Sequence, residues 1–170
     1  AELEAALAKG KFRGALARSF KDGALQIPDD LPGLIEDGLR RALLDRLGLE
    51  ARASMLLTGS EKIDVACRRG QVQLLLHAAD AAADGNRKLD QALRVGQEAE
   101  GTDLAGIVLP VDRDALSMAM GRDNVVHIAV TDSRAALRLR AAIGRLESYL
   151  GCATGAPVHG EPDSADAPGA

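Results

Sequence analysis

The sequence predicts an α/β protein, a three-layer α/β/α sandwich with a small mixed sheet, preceded by a short helical element. Apolar runs at 72–76, 107–111 and 125–130 have the length and composition of buried strands, and a shorter run at 55–57 precedes them. Segments with apolar residues three and four positions apart, typical of amphipathic helices, separate these runs. Strands that alternate with helices in this way indicate a layered α/β fold.

The chain divides into three predicted segments. Residues 1–43 form a helical element, with helices expected at 2–20 and from 29 to Gly48, residues 44–150 form the sandwich, and residues 151–170 form a tail. The tail is rich in Ala, Pro, Gly and acidic residues without a periodic apolar face, so we expect it to be disordered. Because the sequence begins with Ala rather than Met, we expect a fragment or a processed chain.

Composition limits the classes of function. The net charge of −4 disfavours a protein coated with nucleic acid, although Lys and Arg cluster within 9–21 without an acid. No run approaches the roughly 18 apolar residues of a membrane span. Cys67 and Cys152 lie far apart without metal-ligand spacing, which is typical of free thiols in a reducing compartment. We therefore expect a cytoplasmic protein with no metal, no cofactor and no membrane partner.

The central unit runs from residue 55 to residue 76. Thr58 with Glu61 three residues later has the spacing of a capping box and predicts the start of a helix. Ile63, Ala66 and Cys67 give this helix one narrow apolar face, and Gly70 is a stop signal. The Gly-containing turn before the helix directs backbone N–H groups outward, so it can receive a phosphate.

Evidence for catalysis is weak. His77 and Asp80 follow a predicted strand, where α/β proteins usually bind ligands, and they are the one candidate acid–base pair. The sequence has no nucleophile elbow, no Walker loop and no Gly-x-Gly-x-x-Gly fingerprint. We interpret His77 and Asp80 as turn residues, interpret His127 as a tolerated sheet residue facing away from Val126 and Ile128, and expect no enzymatic activity.

Evidence for binding is stronger because polar groups gather at three turns. Gly59, Ser60 and Lys62 offer amides, a hydroxyl and a cation at one helix start. Arg87 and Lys88 open the next helix, and Arg122 and Asn124 lie in a later polar loop. The connectivity of an α/β fold can bring these turns to one end of the sheet.

Residues 48–59 resemble a degraded form of the motif GLARRAGxLVxG, which opens bacterial proteins of the kink-turn RNA-binding ribosomal-protein superfamily. The similarity continues in register to about residue 150, with Ser54 at a position where the motif has glycine. Residues 1 to about 40 resemble the tail of a YlxR-type domain, through Phe12, Arg18, Phe20, Lys21 and residues 28–31. A YlxR-type domain is often fused ahead of this fold, and such proteins are described as nucleic-acid-binding and are implicated in transcription termination.

The resemblance implies a three-layer sandwich that binds RNA through the Gly59 turn and the Arg122 loop. The implied RNA-binding residues are Gly59, Ser60, Glu61, Lys62, Arg87, Lys88, Arg122, Asn124 and Val125. The family reads RNA with an Asn-Glu pair, and Glu61-Lys62 stand at those positions here. An ionised Glu only accepts hydrogen bonds and repels phosphate, whereas Asn both donates and accepts. We therefore expect RNA binding that is weak, salt-sensitive and directed mostly to phosphates.

Two functions follow from the sequence. The first is a non-enzymatic RNA-binding protein associated with the ribosome or with transcription termination, whose partner is a structured, kink-turn-like RNA. The alternative is a protein-interaction module on the same fold in which the RNA site has decayed. The Glu61-Lys62 replacement favours the alternative, and the basic window at 9–21 favours the first.

Overall fold

A computed structural model describes residues 11–21 and 26–154 of the chain. It divides into two compact units, one containing Ala1–Pro32 and Ser148–Ala170 and the other containing Gly33–Glu147. Within the first unit, the Tyr149 hydroxyl donates a 2.8 Å hydrogen bond to the carbonyl of Pro32. The first nine residues of the predicted 2–20 helix, the start of the basic window and residues 155–170 of the predicted tail lie outside the described residues.

The described elements alternate as the sequence predicts. In chain order they are α1 (Lys11–Phe20), α2 (Leu31–Arg52), β1 (Leu56–Thr58), α3 (Ser60–Arg68), β2 (Leu74–His77), α4 (Ala83–Gly96), β3 (Ile107–Val108), α5 (Arg113–Met120), β4 (His127–Val130) and α6 (Ser133–Thr154). The last helix extends four residues into the predicted tail. None of the helices in the described ranges is both long and apolar enough to cross a membrane.

The strands form a small mixed sheet with the order β1-β4-β2-β3. β4 pairs antiparallel with both neighbours, with Thr58 opposite Ile128 on one side and His77 opposite His127 on the other. β3 runs parallel to β2 and forms the far edge. The predicted fold class, an α/β fold with a small mixed sheet, is confirmed.

Side chains alternate between the two faces of the sheet and create two apolar layers. On one face, Leu75 and Ala129 join the buried residues of α3 and α4. The intervening strand residues Leu74, Leu76, Ile128 and Val130 belong to the other face and are also buried. The helices α2, α5 and α6 contribute further buried residues, namely Leu43, Leu47, Leu116, Leu139 and Ile143.

The helix α3 has the predicted buried face and the predicted end. Ile63, Ala66 and Cys67 are buried. Gly70 has a positive φ of 67°, and the amides of Gly70 and Gln71 bond back to the carbonyls of Cys67 and Ala66. This pair of bonds is a Schellman motif, which favours glycine at the left-handed position.

Several predicted boundaries are wrong because distant contacts decide them. The helix α2 passes through Gly48, where a Cβ would lie 2.9 Å from the carbonyl oxygen of Ala119, so this glycine serves helix packing and not termination. The sequence predicts a turn and cap at residues 84–86, but α4 already starts at Ala83. The ladder of β3 is short because Pro110 has no N–H to donate. On α6, Leu137 is expected to face inward and is exposed instead.

Candidate nucleic-acid interface

The turn at Gly59 joins the edge strand β1 to the helix α3. Gly59 has a φ of 93°, and the space where its Cβ would lie is open. No side chain caps α3, so the predicted Thr58–Glu61 capping box is wrong. Thr58 is instead the last residue of β1, paired with Ile128. The first N–H groups of an uncapped helix lack intrahelical acceptors, so this end can receive an anion.

The second part of the site is the loop at residues 122–125, called here the 122–125 loop. The helix α5 ends at Gly121, which is left-handed with a φ of 59°. Asn124 is also left-handed, with a φ of 53°, a conformation that Asn tolerates better than most residues. The amide of Val125 donates a 2.8 Å hydrogen bond to Ser117 Oγ, which holds the end of the loop against α5.

The sheet register brings these two segments together. Because β1 and β4 are antiparallel, the end of β1 lies beside the start of β4, and the 122–125 loop leads into that start. Arg122 Nη1 donates a 3.3 Å hydrogen bond to Thr58 Oγ1 across the gap. The result is a cleft of about 610 Å³, called here the α3–β4 cleft. Its lining residues are Thr58, Gly59, Ser60, Glu61, Lys62, Arg122, Asp123, Asn124 and Val125.

The charges in the α3–β4 cleft are balanced. Lys62 and Arg122 are cations, and Glu61 and Asp123 are carboxylates. The backbone amides at the start of α3 and the Ser60 hydroxyl add hydrogen-bond donors to the cations. An arrangement of this kind can bind a phosphate and also accept a hydrogen bond from a neighbouring donor group.

The structure gathers most of the predicted binding residues, although two lie elsewhere. The α3–β4 cleft contains the predicted residues Gly59, Ser60, Glu61, Lys62, Arg122, Asn124 and Val125. Arg87 and Lys88 are exposed on α4 and are not among its lining residues, and Arg87 forms an ion pair with Asp84. Sequence reasoning missed Thr58 and Asp123. The spacing of Thr58 and Glu61 predicted a capping box, so Thr58 was not expected to line a binding site. Asp123 lies between two predicted binding residues, Arg122 and Asn124, but was not predicted itself.

The structure separates the candidate acid–base pair. His77 is buried and contacts His127 and Asp90, whereas Asp80 is bound by Arg113. Hydrogen bonds from the side chain and the backbone amide of Arg113 hold the pKa of Asp80 below its usual range. Asp80 therefore links the end of β2 to the start of α5. A His77–Asp80 catalytic pair is not supported by this geometry.

Neither a metal-binding cluster nor an activated Cys67 thiol is found among the described residues. These residues hold no group of three or more His, Cys, Asp and Glu side chains that could bind a metal ion. Cys67 is a free, buried thiol, and burial is the main factor that raises its pKa to about 11. A thiol with so high a pKa is a poor nucleophile at neutral pH, so Cys67 acts as a small apolar residue of the core.

Comparison with known proteins gives similarity at the level of structure. No protein-family model and no curated protein matches the chain. The chain is similar to the structure of a protein with unknown function from Bacillus halodurans, with 32% identity and a TM-score of 0.51, over 60% of this chain and 96% of that chain. It also matches a 15.5kD RNA binding protein of Giardia lamblia, with 18% identity and a TM-score of 0.44, over 66% of this chain and 90% of that chain.

Proposed function

Since the chain belongs to the same family as the Bacillus halodurans protein of unknown function, we propose its function from the geometry of the α3–β4 cleft. We propose that the chain is a non-enzymatic protein that binds structured RNA through this cleft. The observation that carries the proposal is that two segments more than fifty residues apart in the chain meet at one cleft. The uncapped start of α3 and the side chains of Lys62 and Arg122 line its opening. These are the groups that bind phosphate oxygens in proteins.

The chemistry of the cleft favours backbone contact over base readout. The amides at the start of α3 and the cations suit phosphate, which carries no sequence information. The chain has no Trp, one Tyr and two Phe, and none of the residues lining the cleft is aromatic, so bases find no stacking platform there. Glu61 can accept a hydrogen bond from a base amino group, but it repels a nearby phosphate. We infer weak binding with strong salt dependence and little discrimination between RNAs.

A charge-reversal experiment tests the cleft. A kink-turn RNA and a scrambled duplex are titrated at low and high salt with the parent, with Lys62→Glu, and with Arg145→Glu as a matched control. Arg145 is exposed on α6, a helix that contributes no residue to the cleft lining. Both variants change the net charge equally, so a general electrostatic effect would weaken them alike. Each phosphate contact contributes about 0.7 to 0.9 to the slope of log affinity against log salt.

We expect Lys62→Glu to weaken binding to both RNAs and to flatten the salt slope by about one contact. The Arg145→Glu variant should keep most of the parent's affinity and slope. Equal losses in the two variants would show that the cleft is not the binding surface. Absence of binding to either RNA would overturn the proposal and favour the protein-interaction alternative. A strong preference for the kink-turn would contradict the inferred lack of base readout.

We further propose that the RNA partner belongs to the ribosome or to the transcription machinery, in keeping with the resemblance of residues 1 to about 40 to the tail of a YlxR-type domain. Co-sedimentation of the chain with ribosomes and with transcription complexes, repeated with Lys62→Glu, tests this point. Association that depends on Lys62 would support it. Association that is unchanged in Lys62→Glu would assign the contact to another surface.

A further inference from the structure

Three polar side chains form a hydrogen-bonded chain inside the core. His77 ends β2, His127 begins β4, and the two residues are cross-strand partners. Their Nδ1 atoms are 2.9 Å apart, and His77 Nε2 lies 3.0 Å from Asp90 Oδ1 on α4. The same oxygen of Asp90 accepts a 2.8 Å hydrogen bond from the amide of Gly106. His77 is 1% exposed and His127 is 8% exposed, so both side chains are almost completely shielded from water.

The hydrogen-bond partners of the two histidines determine which of their ring nitrogens carry a proton. The Asp90 carboxylate only accepts, so His77 donates from Nε2 and, as a neutral ring, accepts at Nδ1. The contact between the two Nδ1 atoms then requires His127 to donate from its Nδ1. The remaining nitrogen, His127 Nε2, carries no proton and faces the first turn of α4, where a Cβ on Gly85 would lie 3.1 Å away. Glycine at this position makes room for the ring.

A further proton at His127 Nε2 is disfavoured. It would create a buried cation beside a second histidine and next to the positive end of the α4 dipole. Burial is the main factor that holds the pKa of His127 below its usual range, and His77 acts in the same direction. Asp90, on α4, acts in the opposite direction and is already bonded to His77 and Gly106.

His127 is connected to the α3–β4 cleft through the chain itself and through a backbone hydrogen bond. The 122–125 loop ends two residues before His127, the first residue of β4, and Val125 is both buried and part of the cleft lining. The carbonyl of Val126 accepts a 2.9 Å hydrogen bond from the amide of Ala78, which lies next to His77. These contacts connect the His127 ring to the strand start that positions the loop.

We propose that the His77–His127–Asp90 chain is a proton-sensitive latch, which holds the 122–125 loop in place near neutral pH and releases it on acidification. The effect of the latch on RNA rests on the proposed function, whereas its effect on the loop does not. Acidification should therefore weaken RNA binding. A loss of negative charge in the cleft would have the opposite effect, because negative charges there repel phosphate. The sign of the pH effect thus distinguishes the latch from simple titration of the cleft.

The loop is tested without RNA. Backbone amide signals of Asn124 and Val125 and the ring signals of His127 are followed by NMR from about pH 7.5 down to about pH 5, because the pKa of His127 lies below its usual value. We expect the amides to shift with the same midpoint as the His127 ring in the parent. The shift should disappear in His127→Asn, which keeps a donor toward His77 but does not titrate. It should remain in the matched control His159→Asn.

Titration of the His127 ring without change at these amides would overturn the latch, as would amide shifts that persist in His127→Asn. The co-titration in the parent decides the question even where His127→Asn fails to fold.

RNA affinity, measured with the same variants, tests the consequence. We expect the parent to lose about tenfold in affinity over this range, an effect within the usual size of coupling between two sites. Affinity in His127→Asn should stay constant or rise, and His159→Asn should behave like the parent. A parent affinity that rises on acidification would overturn the regulatory role. Absence of RNA binding at neutral pH would instead remove the proposed function and leave the NMR result standing.

Discussion

Single residues at the ends of helices carry measurable strain in this protein. Ser54 follows α2 with a φ of 60°, in the left-handed region. The amides of Ser54 and Met55 bond to the carbonyls of Ala51 and Glu50, which is again the Schellman arrangement. Glycine usually occupies this position because a Cβ is unfavourable there. The motif that residues 48–59 resemble also has glycine at this position.

Replacing Ser54 by Gly should therefore stabilise the protein by about 0.5–1 kcal/mol, because relief of the left-handed strain outweighs the added freedom of the unfolded chain. Urea or thermal unfolding measures the change. The reverse change is available at Gly121, which has a similar φ of 59° and open space where a Cβ would lie. Gly121→Ser should lose a similar amount. Two variants that change stability in the same direction would contradict this explanation.

At the scale of elements, the packing of α3 on the sheet is the part of the core with the clearest test. Ile63 is fully buried among residues of α3, α4 and the sheet. Truncation to Ala leaves a cavity, so Ile63→Ala should cost about 2–4 kcal/mol in the free energy of unfolding. Val65 on the same helix is 47% exposed, and Val65→Ala should change stability by less than about 0.5 kcal/mol. Equal urea midpoints for Ile63→Ala and the parent would contradict the observed burial.

The contact between α2 and α5 gives a second test with a control on the same helix. Gly48→Ala would place a Cβ 2.9 Å from the backbone oxygen of Ala119, which cannot move as a side chain can. At Gly38, also in α2, a Cβ would meet nothing within 4 Å. We expect Gly38→Ala to stabilise by about 0.5–1 kcal/mol through helix propensity and Gly48→Ala to destabilise by about 1–3 kcal/mol. Stabilisation by both would show that α2 and α5 separate easily.

These elements also show what a sequence can predict. The buried face of α3 follows from spacing alone, and the strands follow from short apolar runs. Helix ends are harder because they depend on contacts remote in sequence: Gly48 stays inside its helix owing to Ala119, and Gly85 accommodates the ring of His127. Periodicity also fails for Leu137, since an apolar residue on a mostly apolar helix does not reveal which side faces the core.

The candidate site is predictable in part for the same reason. Polar turn residues indicate the segments, and the family resemblance joins them, but the antiparallel pairing of β1 with β4 decides which residues meet. That pairing brings Thr58 and Asp123 into the α3–β4 cleft and leaves Arg87 and Lys88 outside its lining. The bond between His77 and His127 could not be foreseen either, because it needs the register of two strands fifty residues apart.

At the scale of the whole molecule, acid stability should depend on an ion pair between α2 and α6 in which the carboxylate is buried and the guanidinium is partly exposed. Glu50 is buried and accepts hydrogen bonds of 2.7 and 2.9 Å from Arg138 Nε and Nη2. The bond from Arg138 is the main factor that lowers the pKa of Glu50 in the folded state. A lowered pKa adds stability that is complete above the unfolded value of about 4.3 and is lost as the pH falls through the folded value.

We therefore expect the urea midpoint of the parent to fall below about pH 4.5 and that of Glu50→Gln to be lower at neutral pH but to fall less on acidification. Asp80→Asn is the matched control, since Arg113 also lowers the pKa of Asp80 but both partners are about 40% exposed. The two pairs differ mainly in the carboxylate, which is buried in Glu50 and exposed in Asp80. Salt screens exposed charges more strongly, so high salt should reduce the acid step from Asp80 more than the step from Glu50. An acid step of undiminished size in Glu50→Gln would show that the α2–α6 pair does not control acid stability.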